Sequence, residues 1–246
     1  MRLPAIAGLI DRRILANYRV DPQCMANVLP QPFRPWTHRG FAIGGICLIR
    51  LKHVRPKFFP FPMGIGSENA AHRIAVEWDS DGQTKRGVYI PRRDTDSLLN
   101  AFAGGRIFPG VHHRAIFTVD EKGDQFSVKM ESHDDGQRVS VVGSAAAELN
   151  SSSVFESLES VSEFFELGSL GYSDTGTPGK FDGLELDCKN WNVEPLDVQE
   201  VHSSYFEDES RFPHGSVEFD CALLMRGIEH HWLGREDLCC TEASLG

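Results

Sequence analysis

The sequence predicts a mainly β fold: a closed or nearly closed antiparallel sheet with two or three helices, built by residues 1–246 as a single domain. About ten segments have the β-branched and aromatic content of strands, and most are joined by short polar turns. Only two or three stretches show helical spacing, and no fixed-period repeat or long linker divides the chain.

The elements follow in order. RILANYRV, ending at Val20, reads as a strand and runs into DPQCMANVLP, where Asp21 caps a short helix, Pro22 suits its first turn and Pro30 stops it. FAIGGICLIRLKHV (41–54) is a long apolar strand, and Gly44-Gly45 within it predict a bulge or corner. RPKFFPFPMGIG is a Pro/Gly/Phe-rich loop. NAAHRIAVEW and KRGVYIP are strands separated by DSDGQ, and DTDSLLNAFAGG is a short capped helix ending in two glycines. VHHRAIFTV, QFSVKMES and QRVSVVGSAA form a meander around EKGD and DDGQ. SVFESLESVSEFFELG is the clearest helix, with Ser153 and Glu156 as a capping box and Gly168 at its end. After a Gly/Ser/Thr/Pro loop, LELDCKN, WNVEPLDVQEVH and GSVEFDCALLMRGIEHHW supply the last strands.

Net charge is −10, which argues against a general nucleic-acid binder. The charge is unevenly spread: residues 1–119 carry 17 basic and 8 acidic side chains, so their net charge is +9 and that of the remainder −19. An acidic solvated surface accounts for the second half; in the first, Arg12, Arg92, Arg93 and Arg106 are candidates to converge on a carboxylate. No apolar window is long enough to span a membrane, and LPAIAGLI is followed by charges rather than a cleavage site. Six scattered cysteines with no C-x-x-C fit reduced thiols in a cytoplasmic protein.

Chemistry-bearing residues gather at SENAAHR, YIPRRDT and GGRIFPGVHHRAIF. On a strand, Glu68, Ala70 and His72 point together while Asn69 and Arg73 point away, so Glu68 and His72 form a candidate acid/base pair. By the same alternation only one of His112 and His113 enters a shared site. No spaced zinc-ligand set, nucleophile elbow, P-loop or dinucleotide fingerprint is present, so neither a metal nor a cofactor is expected.

Taken together, YRVDP, ENAAHR, YIPRRDT and FPGVHHR, in this order, resemble the YqjF-like family of uncharacterised bacterial proteins, over roughly residues 10–235. More distantly that family is similar to acetoacetate decarboxylase. The resemblance implies a cone-shaped antiparallel β-barrel or meander with an interior pocket. It also implies a test: the relative's Schiff-base lysine pair follows an aromatic-Pro dipeptide, here Phe108-Pro109, but the residues that follow are Gly110, Val111, His112 and His113, and no lysine lies between Lys85 and Lys122. Imidazole does not replace a primary amine in imine chemistry, so decarboxylation by that route is not expected. The resemblance makes Glu68 the counterpart of a pocket glutamate. It places Arg12 near a substrate-binding arginine, with the spacing to YRVD differing by one residue.

The expected function is binding of a small organic acid inside the barrel, with Arg12, Arg92 and Arg106 holding the carboxylate and Glu68, His72 and His112 or His113 close by. Non-imine lyase-type acid/base chemistry is compatible with this set. The alternative is a non-catalytic binding or interaction barrel, in which the KFFPFPM loop forms a contact surface and a homo-oligomer is left open. Neither nucleic acid nor membrane is an expected partner.

Overall fold

A computed structural model describes residues 5–57, 64–98 and 110–239. Its elements are β1 (Ile6–Val20), α1 (Pro22–Val28), β2 (Arg34–Pro35), β3 (Thr37–His38), β4 (Phe41–Pro56), β5 (Ile65–Ser80) and β6 (Gln83–Thr95). Then follow β7 (His112–Lys122), β8 (Gln125–Ser132), β9 (Arg138–Ala145), α2 (Leu158–Leu167), β10 (Leu170–Asp174), β11 (Lys180–Cys188), β12 (Glu194–Ser203), β13 (Val217–Gly234) and β14 (Leu238–Cys239). The chain is mainly β, as its composition and turn pattern predict.

The strands hydrogen-bond in the order β14-β11-β10-β6-β7-β8-β9-β12-β13-β1-β4-β5-β2, and further pairings of β5 with β6 and β11 with β13 close the path on itself. Two rings result. Both contain β13, β1, β4, β5 and β6; the wider is completed by β7, β8, β9 and β12, the narrower by β10 and β11. The shared strands are therefore buried on both faces, which explains the near-continuous apolar run of β4. One face packs Ile14, Ile46, Leu48 and Ile74 against Val128, Val141 and Leu196 of the wider ring. The other packs Leu15, Cys47, Ile49 and Met225 against Val161, Phe164 and Phe165 of α2.

Several expectations need correcting. Pairing is antiparallel throughout except between β6 and β7 and between β6 and β10, which are parallel. β10 lies in what reads as a loop. Gly44-Gly45 make no bulge, since the register of β4 is continuous there on both sides. They are glycines because a Cβ on Gly44 would sit 2.8 Å from the Phe206 ring and one on Gly45 2.5 Å from the Ala16 carbonyl oxygen. The second helix starts four residues later than its apparent capping box. Ser157 and Ser160 form the box, whereas Ser153 donates to Asp220 Oδ2 at 2.6 Å. The short helix expected around DTDSLLNAFAGG falls largely outside the described residues, as does the KFFPFPM loop after Lys57. α1 has the expected cap, with Asp21 accepting from Gln23 N and Cys24 N at 2.8 and 3.0 Å. No helix among the described residues is long and apolar enough to cross a membrane.

Candidate functional site

Inside the narrower ring, on the α2 side of β1, β4, β5 and β6, lies a cavity of about 130 Å³. Its apolar wall includes Ile49, Ile90, Leu184, Phe165, Trp191 and Trp232. Its polar wall is basic. Arg13 comes from β1, Arg73 from β5, Arg93 from β6 and His112 from β7.

None of the three guanidiniums is ion-paired among the described residues. Arg13 donates from Nε to Cys47 Sγ at 3.2 Å and lies 5.8 Å from the centre of the Trp191 ring. Arg73 is buried; it bonds Asn17 Oδ1, stacks 4.2 Å over Phe165, and its Nε has no hydrogen-bond partner. Arg93 donates from Nε and Nη2 to Ser173 Oγ at 3.1 and 3.0 Å. Burial pulls Arg73 and Arg93 down to about 10, so both stay cationic at neutral pH. Three cations facing one cavity, Arg73 buried and Arg13 and Arg93 half-buried, with no counter-ion among the described residues, attract an anion. The acid at the cavity wall is Asp94, and its carboxylate is already held bidentately by Arg92 at 2.8 Å.

His112 completes the wall. Gly110, at φ +82°, turns the chain into β7 with its N–H on Asp182 Oδ2, and its carbonyl lies 3.2 Å from His112 Nδ1. A carbonyl accepts only, so Nδ1 carries the proton and Nε2 is the acceptor nitrogen. Burial, and then the nearby Arg93 charge, push His112 down to about 3, so the ring is neutral at physiological pH.

The residues singled out in the sequence divide between the two faces. His112 lines the cavity, while His113 turns outward to Asp134 Oδ2 at 3.2 Å. Arg93 is in the cavity. Arg12, Glu68, His72 and Arg92 are not; they belong to the opposite face of the shared strands. There Arg12 bonds Glu68, lies 2.9 Å from Glu121 Oε1 and donates to Leu48 O, and Arg50 bridges Glu68 and Glu121. Glu68 is thus a shared counter-ion of two arginines rather than a cavity carboxylate. His72 is fully buried beside Tyr205 and Ser203 Oγ, and burial pushes it down to about 3. Arg106 lies outside the described residues.

Register irregularities explain the exchange of neighbours. Against β5 the register of β6 shifts between His72 and Ile74, where Ile90 and Pro91 stand opposite Arg73. Val88 and Ile90 line the cavity before that bulge and Arg93 after it, so strict alternation from Ile90 would select Arg92 instead. The register of β1 against β4 also shifts between Ile10 and Arg12. Ile10 packs with the α2-side core, Arg12 faces the other way, and Arg13 enters the cavity. Arg13, Arg73 and Cys47 were missed as site residues. For Arg73 the signal was present, because the alternation already set it opposite Glu68 and His72.

The family model DUF2071, an uncharacterised conserved protein family, matches residues 10–223. The chain belongs to this family. It is the YqjF-like family that the motifs resemble. No curated protein matches the chain. Among solved structures, acetoacetate decarboxylase from Legionella pneumophila superposes with a TM-score of 0.62 at 11% identity, covering 97% of this chain and 88% of that one. An acetoacetate decarboxylase-like enzyme from Sphingomonas wittichii gives 0.58 at 10%, covering 97% and 93%. The enduracididine biosynthesis enzyme MppR, solved in complex with pyruvate, gives 0.57 at 10%, covering 97% and 90%. At these identities the likeness establishes a shared acetoacetate decarboxylase-like fold.

Within that fold this DUF2071 chain offers no buried lysine. Its seven lysines, Lys52, Lys57, Lys85, Lys122, Lys129, Lys180 and Lys189, are all exposed.

Proposed function

We propose that this protein binds a small organic carboxylate in the cavity of the narrower ring. The observation that carries the reading is the convergence of Arg13, Arg73 and Arg93 on one cavity with no acidic partner among the described residues. Guanidinium forks suit a carboxylate, and the aromatic and aliphatic wall suits a short carbon skeleton. The pyruvate bound by MppR is a ligand of this size and charge.

His112 faces the same cavity as a neutral imidazole with Nδ1 on the Gly110 carbonyl, and because burial and Arg93 disfavour its charged form it serves such a ligand as a hydrogen-bonding group rather than as a strong base. Any chemistry at this site therefore runs by proton transfer or by attack of a group other than lysine. Binding is tested by titrating pyruvate, acetoacetate and a neutral control such as acetone, followed by thermal shift and calorimetry. The carboxylates raise the melting temperature of the wild type, acetone does not, and Arg93→Met and Arg73→Met abolish the shift. Equal shifts in wild type and both variants overturn the reading.

A further inference from the structure

Two chemically distinct parts of the cavity meet along β10. Ser173, which accepts both hydrogen bonds of Arg93 at 3.1 and 3.0 Å, is in register with Ile90 of β6. Two residues earlier and on the same face, Gly171 stands between its register partners, Val88 of β6 and Leu184 of β11. Val88, Ile90, Gly171 and Leu184 all line the cavity. An uncharged row therefore begins about 6.6 Å along the strand from the hydroxyl that anchors Arg93. Gly171 is not held in the left-handed region, so its backbone does not call for glycine. A Cβ there would lie 3.2 Å from Ile90 Cδ1 and 3.4 Å from Val88 Cγ2, both in the cavity wall. What the glycine supplies is room beside the row. Phe165 and Trp191 add aromatic walls to the same cavity, and Trp191 is fixed by donating from Nε1 to Ser162 Oγ at 3.0 Å.

We propose that the site takes monocarboxylates with a branched or aromatic apolar tail, the carboxylate toward Arg93 and the tail in the row of Val88, Ile90, Gly171 and Leu184. The proposal rests on the carboxylate-binding reading and deepens it by naming the ligand class. Size supports it. The cavity measures about 130 Å³, and an apolar cavity of about 150 Å³ holds a benzene ring, so the tail has about four to six carbon atoms. An acid as short as pyruvate leaves the row uncovered and forfeits its dispersion contacts. Each added tail carbon is withdrawn from water against the row and adds affinity. A second carboxylate at the tail end would instead lose its water against side chains that offer it no donor.

Calorimetry on the full-length protein with pyruvate, 2-oxobutanoate, 4-methyl-2-oxopentanoate, phenylpyruvate and 2-oxoglutarate tests this. Affinity should rise about fourfold per added tail carbon, so that 4-methyl-2-oxopentanoate binds roughly thirtyfold or more tighter than pyruvate. 2-Oxoglutarate, which ends in a second carboxylate, should gain nothing over pyruvate. Gly171→Val fills the space beside the row and should lower the ratio of 4-methyl-2-oxopentanoate to pyruvate affinity by roughly tenfold. Ile90→Ala enlarges the same space and should move the preference toward phenylpyruvate, which keeps the test open if valine at position 171 prevents folding. Arg93→Met should weaken every acid in the series and leave the ratio in place. A wild-type ratio near one, tighter binding of 2-oxoglutarate, or a preference that neither Gly171→Val nor Ile90→Ala changes overturns the proposal. Pyruvate binding with a flat series removes the tail site and leaves the carboxylate site standing; no binding of any of the five acids removes both.

Discussion

Arg92 and Arg93 stand back to back on β6. Arg92 grips the fully buried carboxylate of Asp94 with two 2.8 Å hydrogen bonds and reaches Asp135, while Arg93 turns to the other face and, among the described residues, hydrogen-bonds only the hydroxyl of Ser173. One arginine closes a charge pair that the fold needs. Its neighbour is left with a charge that the fold does not neutralise.

Opposite outcomes of mutation follow. Arg92→Ala leaves Asp94 buried and unpaired, a loss of about 3–5 kcal/mol. Arg93→Met removes a desolvated cation and keeps much of its volume, so stability should hold or rise while carboxylate affinity falls at least tenfold. Urea midpoints and pyruvate calorimetry on the two variants check the pair. A destabilised Arg93→Met together with a stable Arg92→Ala would reverse the assignment of the two faces.

The same pair marks how far the sequence could be read. Strand content, hairpin turns and the Asp21 cap rest on local chemistry, and they emerge from the residues alone. The pairing of His112 and His113 on opposite faces follows from strand periodicity. What stayed hidden depends on distant partners: the parallel closure of β6 on β7 and β10, the strand made by Leu170–Asp174, and the bulges near Pro91 and between Ile10 and Arg12. A single bulge exchanges the faces of every residue beyond it, which is why Arg13 rather than Arg12, and Arg93 rather than Arg92, faces the cavity. Glu68 and His72 kept their alternation but lay against the wider ring, because a strand shared by two rings has two interiors. Sequence periodicity does not say which interior holds the cavity.

Close approach of β4 to β1 gives a packing prediction. A methyl group on Gly45 would meet the Ala16 carbonyl oxygen at 2.5 Å, a backbone atom held in the ladder on both sides. Gly45→Ala should cost about 2 kcal/mol, read from the urea midpoint at constant slope. Because Asn17, which accepts from Arg73, is the register partner of Gly45, the variant should also weaken carboxylate binding. Unchanged stability would mean that β1 and β4 separate at little cost.

Imine chemistry gives a sharp negative. All seven lysines are exposed, and the segment entering β7 carries histidines where the relatives' resemblance calls for lysines. Borohydride reduction in the presence of pyruvate or acetoacetate should therefore leave the intact mass unchanged. A stoichiometric adduct on any lysine would show that an exposed amine reaches a carbonyl ligand, and would restore the Schiff-base route.

His72 sets the direction of acid sensitivity. It is fully buried against Tyr205, its Nε2 lies 3.4 Å from Ser203 Oγ and its Nδ1 has no partner; Arg92 and Arg211 disfavour its charged form and Asp135 favours it. In the folded protein it titrates at about 3, against 6.5 in the open chain. Between these values the unfolded chain binds a proton that the folded chain refuses. The His72 contribution is therefore complete above pH 6.5 and is lost as pH falls toward 3, at about 1.4 kcal/mol per pH unit. His112 and His230, pushed down by burial to about 3 and about 4, act with the same sign. Urea midpoints at pH 7 and pH 5 should fall more steeply in the wild type than in His72→Gln, whatever the variant's absolute stability. Equal slopes would mean that His72 is protonated inside the fold, in which case the orphaned Nδ1 must have found an acceptor on folding.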